Sequence, residues 1–165
     1  MPSEQTERIL HTETIVSAPI ERLWGAWTTS EGLATWWVSE SWIELRIGGP
    51  FELYFLTKER RGRQGSEDCR ILSYRPFEML SFSWNFPPSI PEIRSEHTWV
   101  VLRFERSEPM STKLTLDQLG WKSGPGWEEG WKYFDEAWES VLELCRARFP
   151  VAEADRRPGD RESPG

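Results

Sequence analysis

Between Gly126 and Phe149 the apolar residues fall at Trp127, Trp131, Phe134, Trp138, Val141, Leu142, Cys145 and Phe149. Steps of three and four place them on one stripe of a helix of about six turns. Glu128, Lys132, Asp135, Glu139, Glu143 and Arg146 fall on the opposite face, and Pro150 stops the run. A helix with one wide apolar stripe needs a second layer to cover it. The preceding residues offer one. Leu80, Phe82 and Trp84 alternate with Ser81 and Ser83, the period-two pattern of a strand with one buried face. The chain is therefore constrained to pack a sheet against this last helix.

Tryptophan is the second constraint. The chain has 11 of them in 165 residues, spread over all three expected helices and three of the seven expected strands. Each indole covers a large apolar area and carries one N–H that needs a partner. Rings packed on each other would form a solid core. Rings separated by a void would wall a site for a flat apolar molecule, with indole N–H groups fixing its orientation. The sequence leaves both readings open.

Composition removes several function classes. A net charge of −7 lacks the basic face that nucleic acid would require. No stretch approaches the roughly 20 apolar residues of a membrane span, and residues 1–8 lack the apolar run of a signal peptide. Cys69 and Cys145 are the only cysteines, too few for a disulfide framework in a chain this long. A cytoplasmic protein is expected.

Along the chain, Ile9 to Ser17 reads as a first strand. Ser17-Ala18-Pro19 opens a helix, with Ser17 as the expected N-cap and Ile20, Leu23, Trp24 and Trp27 on its apolar face. A short second helix follows over about 30–36. Strands are expected at 41–47, 51–57, 66–74, 79–84, 99–106 and 112–119, with a proline-rich loop at 85–95. One domain over 8–149 and a disordered charged tail over 150–165 complete the expectation.

Local runs sharpen this order. Ser17-Ala18-Pro19-Ile20-Glu21-Arg22-Leu23-Trp24 enters the first helix, Trp36-Trp37 follows the second, and Gly48-Gly49-Pro50-Phe51 opens a strand. Gly65 precedes Ile71 to Trp84 with Arg75-Pro76-Phe77 inside it, and Gly126-Trp127 leads into Tyr133-Phe134 and Trp138. The set resembles the START-like superfamily (SRPBCC), and within it the family of homologues of the activator of heat-shock protein 90 ATPase. The resemblance implies an α+β helix-grip fold: a curved antiparallel sheet wrapped around a long C-terminal helix, with two short helices after strand one and a cavity between sheet and helix. Members resembling this chain include ligand carriers, polyketide cyclases and co-chaperone domains, so fold alone does not choose a function.

No motif for metal, nucleotide or serine-hydrolase chemistry is present, and no cofactor is expected. Cys145 lies on the apolar stripe and reads as an inert core thiol. His97 is the one histidine beside an acid, Glu96; turned inward, it could hold or deprotonate a ligand. The aromatic set is the strongest functional signal. Trp127, Trp131, Phe134 and Trp138 line the helix, and Phe82 and Trp84 line the strand beneath it. Trp36, Trp37 and Trp42 fall near the entrance implied by the resemblance. Phe51 and Trp99 on other strands complete the candidate ligand-binding residues with His97. Ser81, Ser83 and Arg103 are polar candidates if the opposite strand face turns inward.

The expected function is binding of a small apolar or aromatic molecule in that cavity. A cyclase or hydrolase, with His97 or Glu52 as acid or base, is the alternative, and a co-chaperone-like module acting on a heat-shock protein is another. Small domains often pair, which leaves a homodimer open.

Overall fold

A computed structural model describes residues 7–151. The expected tail lies almost wholly outside the described residues. Strand β1 (Leu10–Val16) is followed by helices α1 (Ile20–Thr28) and α2 (Ser30–Ala34). Six strands follow: β2 (Glu40–Ile43), β3 (Phe51–Tyr54), β4 (Ile71–Arg75), β5 (Met79–Trp84), β6 (Thr98–Glu108) and β7 (Ser111–Leu119). Helix α3 (Pro125–Arg148) ends the order. This is the α+β helix-grip arrangement.

Five strands form one antiparallel sheet in the order β1-β7-β6-β5-β4, and β2 and β3 form a separate hairpin. The hairpin is tied to β4 by backbone bonds: Gly48 N–H to Ile71 O at 2.8 Å, Ile71 N–H to Gly49 O at 2.8 Å, and Phe51 N–H to Cys69 O at 2.9 Å. Gly48 sits at φ +78 in this turn, a conformation that favours glycine. The turn ends β2 earlier than the alternation of 41–47 predicts.

Register follows side-chain alternation. Leu80, Phe82 and Trp84 lie opposite Leu102, Val100 and Thr98, and these continue to Leu116 and Gln118 on β7. All are buried and face α3. On α3 the buried residues are Trp127, Gly130, Phe134, Trp138, Leu142 and Cys145, close to the predicted stripe. Helix α1 differs from expectation at its start: Pro19 is the N-cap, with no side-chain cap bond. Ser17 lies two residues too early, because β1 runs to Val16. Helix α2 does have a side-chain cap, the Thr29 hydroxyl accepting from Gly32 N–H at 2.9 Å.

The proline-rich segment after β5 contains a short 3-10 turn at Pro91–Ile93. It drives Phe86, Ile90 and Ile93 into the core. Among the described residues no helix is long and apolar enough to cross a membrane.

Candidate functional site

Packing is incomplete along the middle of α3. A cavity of about 330 Å³ opens there, near the lower end of the range for small-molecule sites. Helix α3 contributes Phe134, Ala137, Trp138, Val141 and the half-exposed Tyr133. Trp37 enters from the segment after α2, and Trp84 from the end of β5. The remaining wall comes from two connections. Phe55, Leu56, Gln64 and Gly65 belong to the one after β3, and Asn85, Phe86, Pro87, Pro88 and Arg94 to the one after β5.

The aromatic wall is one contiguous set. Trp84 and Trp138 have ring centroids 5.4 Å apart. Trp37 lies 6.0 Å from both, stacked on Trp84 and edge-on to Trp138. Phe134 stacks on Trp138 at 5.8 Å and meets Phe86 at 5.6 Å. A second layer holds these rings in place. Trp36 stacks on Trp37 at 5.1 Å and touches Trp27 at 4.8 Å. Phe82, stacked on Phe51 at 4.1 Å, supports Trp84 at 5.4 Å. Such pairs contribute about 0.5–1.5 kcal/mol each beyond area burial, which favours the observed arrangement of the wall.

The indole N–H groups of two of these rings bind the protein. Trp138 Nε1 donates to Gln118 Oε1 at 2.8 Å, Gln118 Nε2 donates to Thr98 Oγ1 at 2.8 Å, and Thr98 Oγ1 donates to Trp84 O at 3.2 Å. Trp36 Nε1 donates to Ala26 O at 2.9 Å. The expectation that indole N–H groups orient a ligand is corrected for both. Trp138 offers the void its ring, with its N–H turned to the sheet.

Charge enters at the loop end. Arg94 donates to the carbonyls of Phe86 and Gly62 and pairs with Glu67 at 3.2 Å. The Glu67 carboxylate also accepts from the backbone N–H groups of Gly62, Gln64 and Gly65. Burial pushes this carboxyl up, but the N–H bonds from Gln64, Gly65 and Gly62 outweigh it and hold the group below its ordinary value. Asn85 Nδ2 donates to Gly65 O at 3.1 Å and Glu67 O at 3.3 Å. These bonds tie the two wall loops together. Burial pushes the Tyr133 phenol above its ordinary value.

Of the residues singled out from sequence, Trp37, Trp84, Phe134 and Trp138 meet at the cavity wall. Trp36, Phe51 and Phe82 stand behind it. Trp127 packs into Phe86 at 5.1 Å, and Trp131 packs on Trp121 at 5.0 Å, away from the wall. Trp42 and Trp99 are exposed. Trp42 takes an outward position on β2, and the Trp99 ring covers Gly120 outside the sheet. His97 is exposed, because the next residue, Thr98, takes the inward position. Glu52 is buried off the wall, accepting from Tyr54 Oη at 2.7 Å and Asp68 N–H at 3.2 Å. Ser81 pairs with Ser73 at 2.6 Å, Ser83 accepts from Arg70 N–H at 2.9 Å, and Arg103 is exposed. Sequence reasoning missed Phe86 and Arg94, which sit in a loop without periodicity. It also missed Ala137 and Tyr133 at the margin of the helix stripe.

The family described as "Activator of Hsp90 ATPase homolog 1-like protein" matches residues 17–147. No curated protein matches the chain. Solved structures with a similar fold include protein MLL2253 from Mesorhizobium loti, at 22% identity and a TM-score of 0.67, covering 86% of this chain and 96% of that one. CalU16 from Micromonospora echinospora has 22% identity and a TM-score of 0.65, covering 96% of this chain and 82% of that one. The Aha1 dimer from Colwellia psychrerythraea has 16% identity and a TM-score of 0.65, covering 88% of this chain and 98% of that one. At these identities the likeness is one of fold.

Proposed function

The chain belongs to the Activator of Hsp90 ATPase homolog 1-like family, and from that premise we propose that it binds one small planar apolar molecule in the cavity beside α3. The observation that carries this reading is a void of about 330 Å³ against Trp37, Trp84, Phe134 and Trp138. An apolar ligand gains there by covering the apolar surface that Phe55, Leu56 and Tyr133 leave exposed at the cavity.

A thermal-shift screen with aromatic ketones, sterols and fatty acids tests it. A ligand at about 100 times its Kd adds roughly 2.7 kcal/mol, a rise of roughly 5–10 °C for a domain of this size. Ala137 is half-buried on the wall, so Ala137→Trp would fill the void while sparing every existing ring. The expected result is a rise for one chemical class that Ala137→Trp removes. No rise for any class overturns the reading.

Turnover has less support. Acid–base chemistry at neutral pH needs a group that titrates there. The ionisable side chains on the wall are Arg94, bonded to Glu67, and Tyr133, whose phenol is pushed up. The family's description favours a second reading, a module acting through its surface on a chaperone ATPase. In that case Ala137→Trp leaves stimulation of the ATPase unchanged. The Colwellia relative is a dimer; self-association of this chain is proposed on that likeness, and sedimentation equilibrium reads it.

A further inference from the structure

Apart from the Tyr133 hydroxyl and the indole N–H groups of the wall tryptophans, the polar side chains on the cavity wall are Gln64, Asn85 and Arg94. The Gln64 amide already donates to Thr57 O at 3.3 Å and Glu59 O at 3.1 Å, and both bonds of the Asn85 amide N go to the loop backbone. Arg94 differs. A guanidinium has five N–H donors, and its bonds to Phe86 O, Gly62 O and Glu67 Oε1 use three. Two donors remain without a protein partner among the described residues.

The charge of Arg94 is not spare. Its side chain is 17% exposed and that of Glu67 is 8% exposed, so the two ions compensate each other in a poorly solvated place. An incoming carboxylate would set a second negative charge beside Glu67 with no second cation on the wall. Like charges at short range in low dielectric repel strongly. An uncharged oxygen accepts the same hydrogen bond without that cost.

We propose that the cavity selects neutral aromatic molecules carrying a hydrogen-bond-accepting oxygen, of the aryl ketone or quinone type, seated on Arg94, and rejects carboxylates of the same shape. The inference rests on the reading of the cavity as a ligand site.

The test titrates the wild-type chain at pH 7 with 2-acetylnaphthalene, naphthalene-2-carboxylate and naphthalene, using calorimetry and ligand-observed NMR. The ketone is expected to bind roughly tenfold or more tighter than the carboxylate, with naphthalene between them. Glu67→Gln keeps one of the two acceptor oxygens that the loop N–H groups use and removes the charge. It should raise carboxylate affinity relative to the ketone by roughly tenfold. Equal or tighter carboxylate binding by the wild type overturns the inference and leaves the cavity reading standing. An unchanged ratio in a folded Glu67→Gln also overturns it. If that variant does not fold, the wild-type order decides. Binding of none of the three probes overturns the cavity reading and this inference with it.

Discussion

Gln118 is fully buried and satisfies two other buried groups, the Trp138 indole N–H and the Thr98 hydroxyl. Replacing it by Leu keeps the volume but strands the Trp138 N–H and leaves the Thr98 hydroxyl only its bond to Trp84 O. An unpaired buried polar group costs about 1–3 kcal/mol. Gln118→Leu is therefore expected to lower stability by about 2 kcal/mol or more, as a lower urea midpoint with unchanged slope. The same variant removes the one hydrogen bond that fixes the Trp138 ring, so affinity for an aromatic ligand should fall as well. The cysteines make an opposite kind of statement. Cys69 and Cys145 are both fully buried, and burial pushes each thiol up to about 12. Thiolate is the reactive form. Neither should react with Ellman's reagent in the native state, and labelling should appear only as the chain opens in denaturant.

Two glycines show how closely the elements approach. Gly130 on α3 faces Phe86, whose ring atoms would lie 2.5 and 2.8 Å from an added Cβ. Phe86 is fully buried and wedged against Trp127 and Phe134, so it has nowhere to retreat. Alanine at an open helical position gains up to about 1 kcal/mol over glycine, whereas overpacking costs about 1–3 kcal/mol. Gly130→Ala should destabilise. Gly25 on α1 has nothing within 4 Å of such a Cβ, and Gly25→Ala should stabilise by up to about 1 kcal/mol. Thermal melts of the pair read the two signs.

Element type was legible wherever periodicity is long. The α3 stripe and the β5 alternation each predict their buried faces, because burial of one face leaves a regular trace in sequence. Strand length was less legible: Gly48-Gly49-Pro50 marks a turn, but the alternation in 41–47 carries no sign that β2 stops at Ile43. Half of the cavity wall was illegible for a related reason. Phe86 and Arg94 are positioned by a 3-10 turn and by carbonyls of distant residues, and neither leaves a period. Trp99 and Trp42 belong to strands whose outward faces carry large rings, so side-chain size misled where alternation would have been the better guide.

For the whole molecule, stability should have two separable pH slopes. His11 bonds Asp117 at 2.6 Å and Glu13 at 3.2 Å across β1 and β7, and its imidazole is raised above 6.5 by the bond to Asp117 first and by Glu13. A raised folded-state value means stability that is present below about 6.5 and lost as pH climbs through the folded value. The group is half-exposed, so the effect is small and should shrink in salt. Glu67 runs the other way. Its folded value lies below 4.5, so its contribution is present above about 4.5 and lost as pH falls through the folded value. His11→Asn should flatten the alkaline slope and Glu67→Gln the acid one, in denaturation series across pH.

The Arg94–Glu67 pair is the ionic link between two separate segments, those after β3 and after β5, that Asn85 also ties together. Grafting either segment alone from a relative would leave one of these ions without its counterpart, at a cost of about 3–5 kcal/mol for a buried charge. The two must be inherited together. A chimera exchanging both should fold and take on the donor's ligand preference, while each single exchange should fail, so that specificity here changes in paired steps.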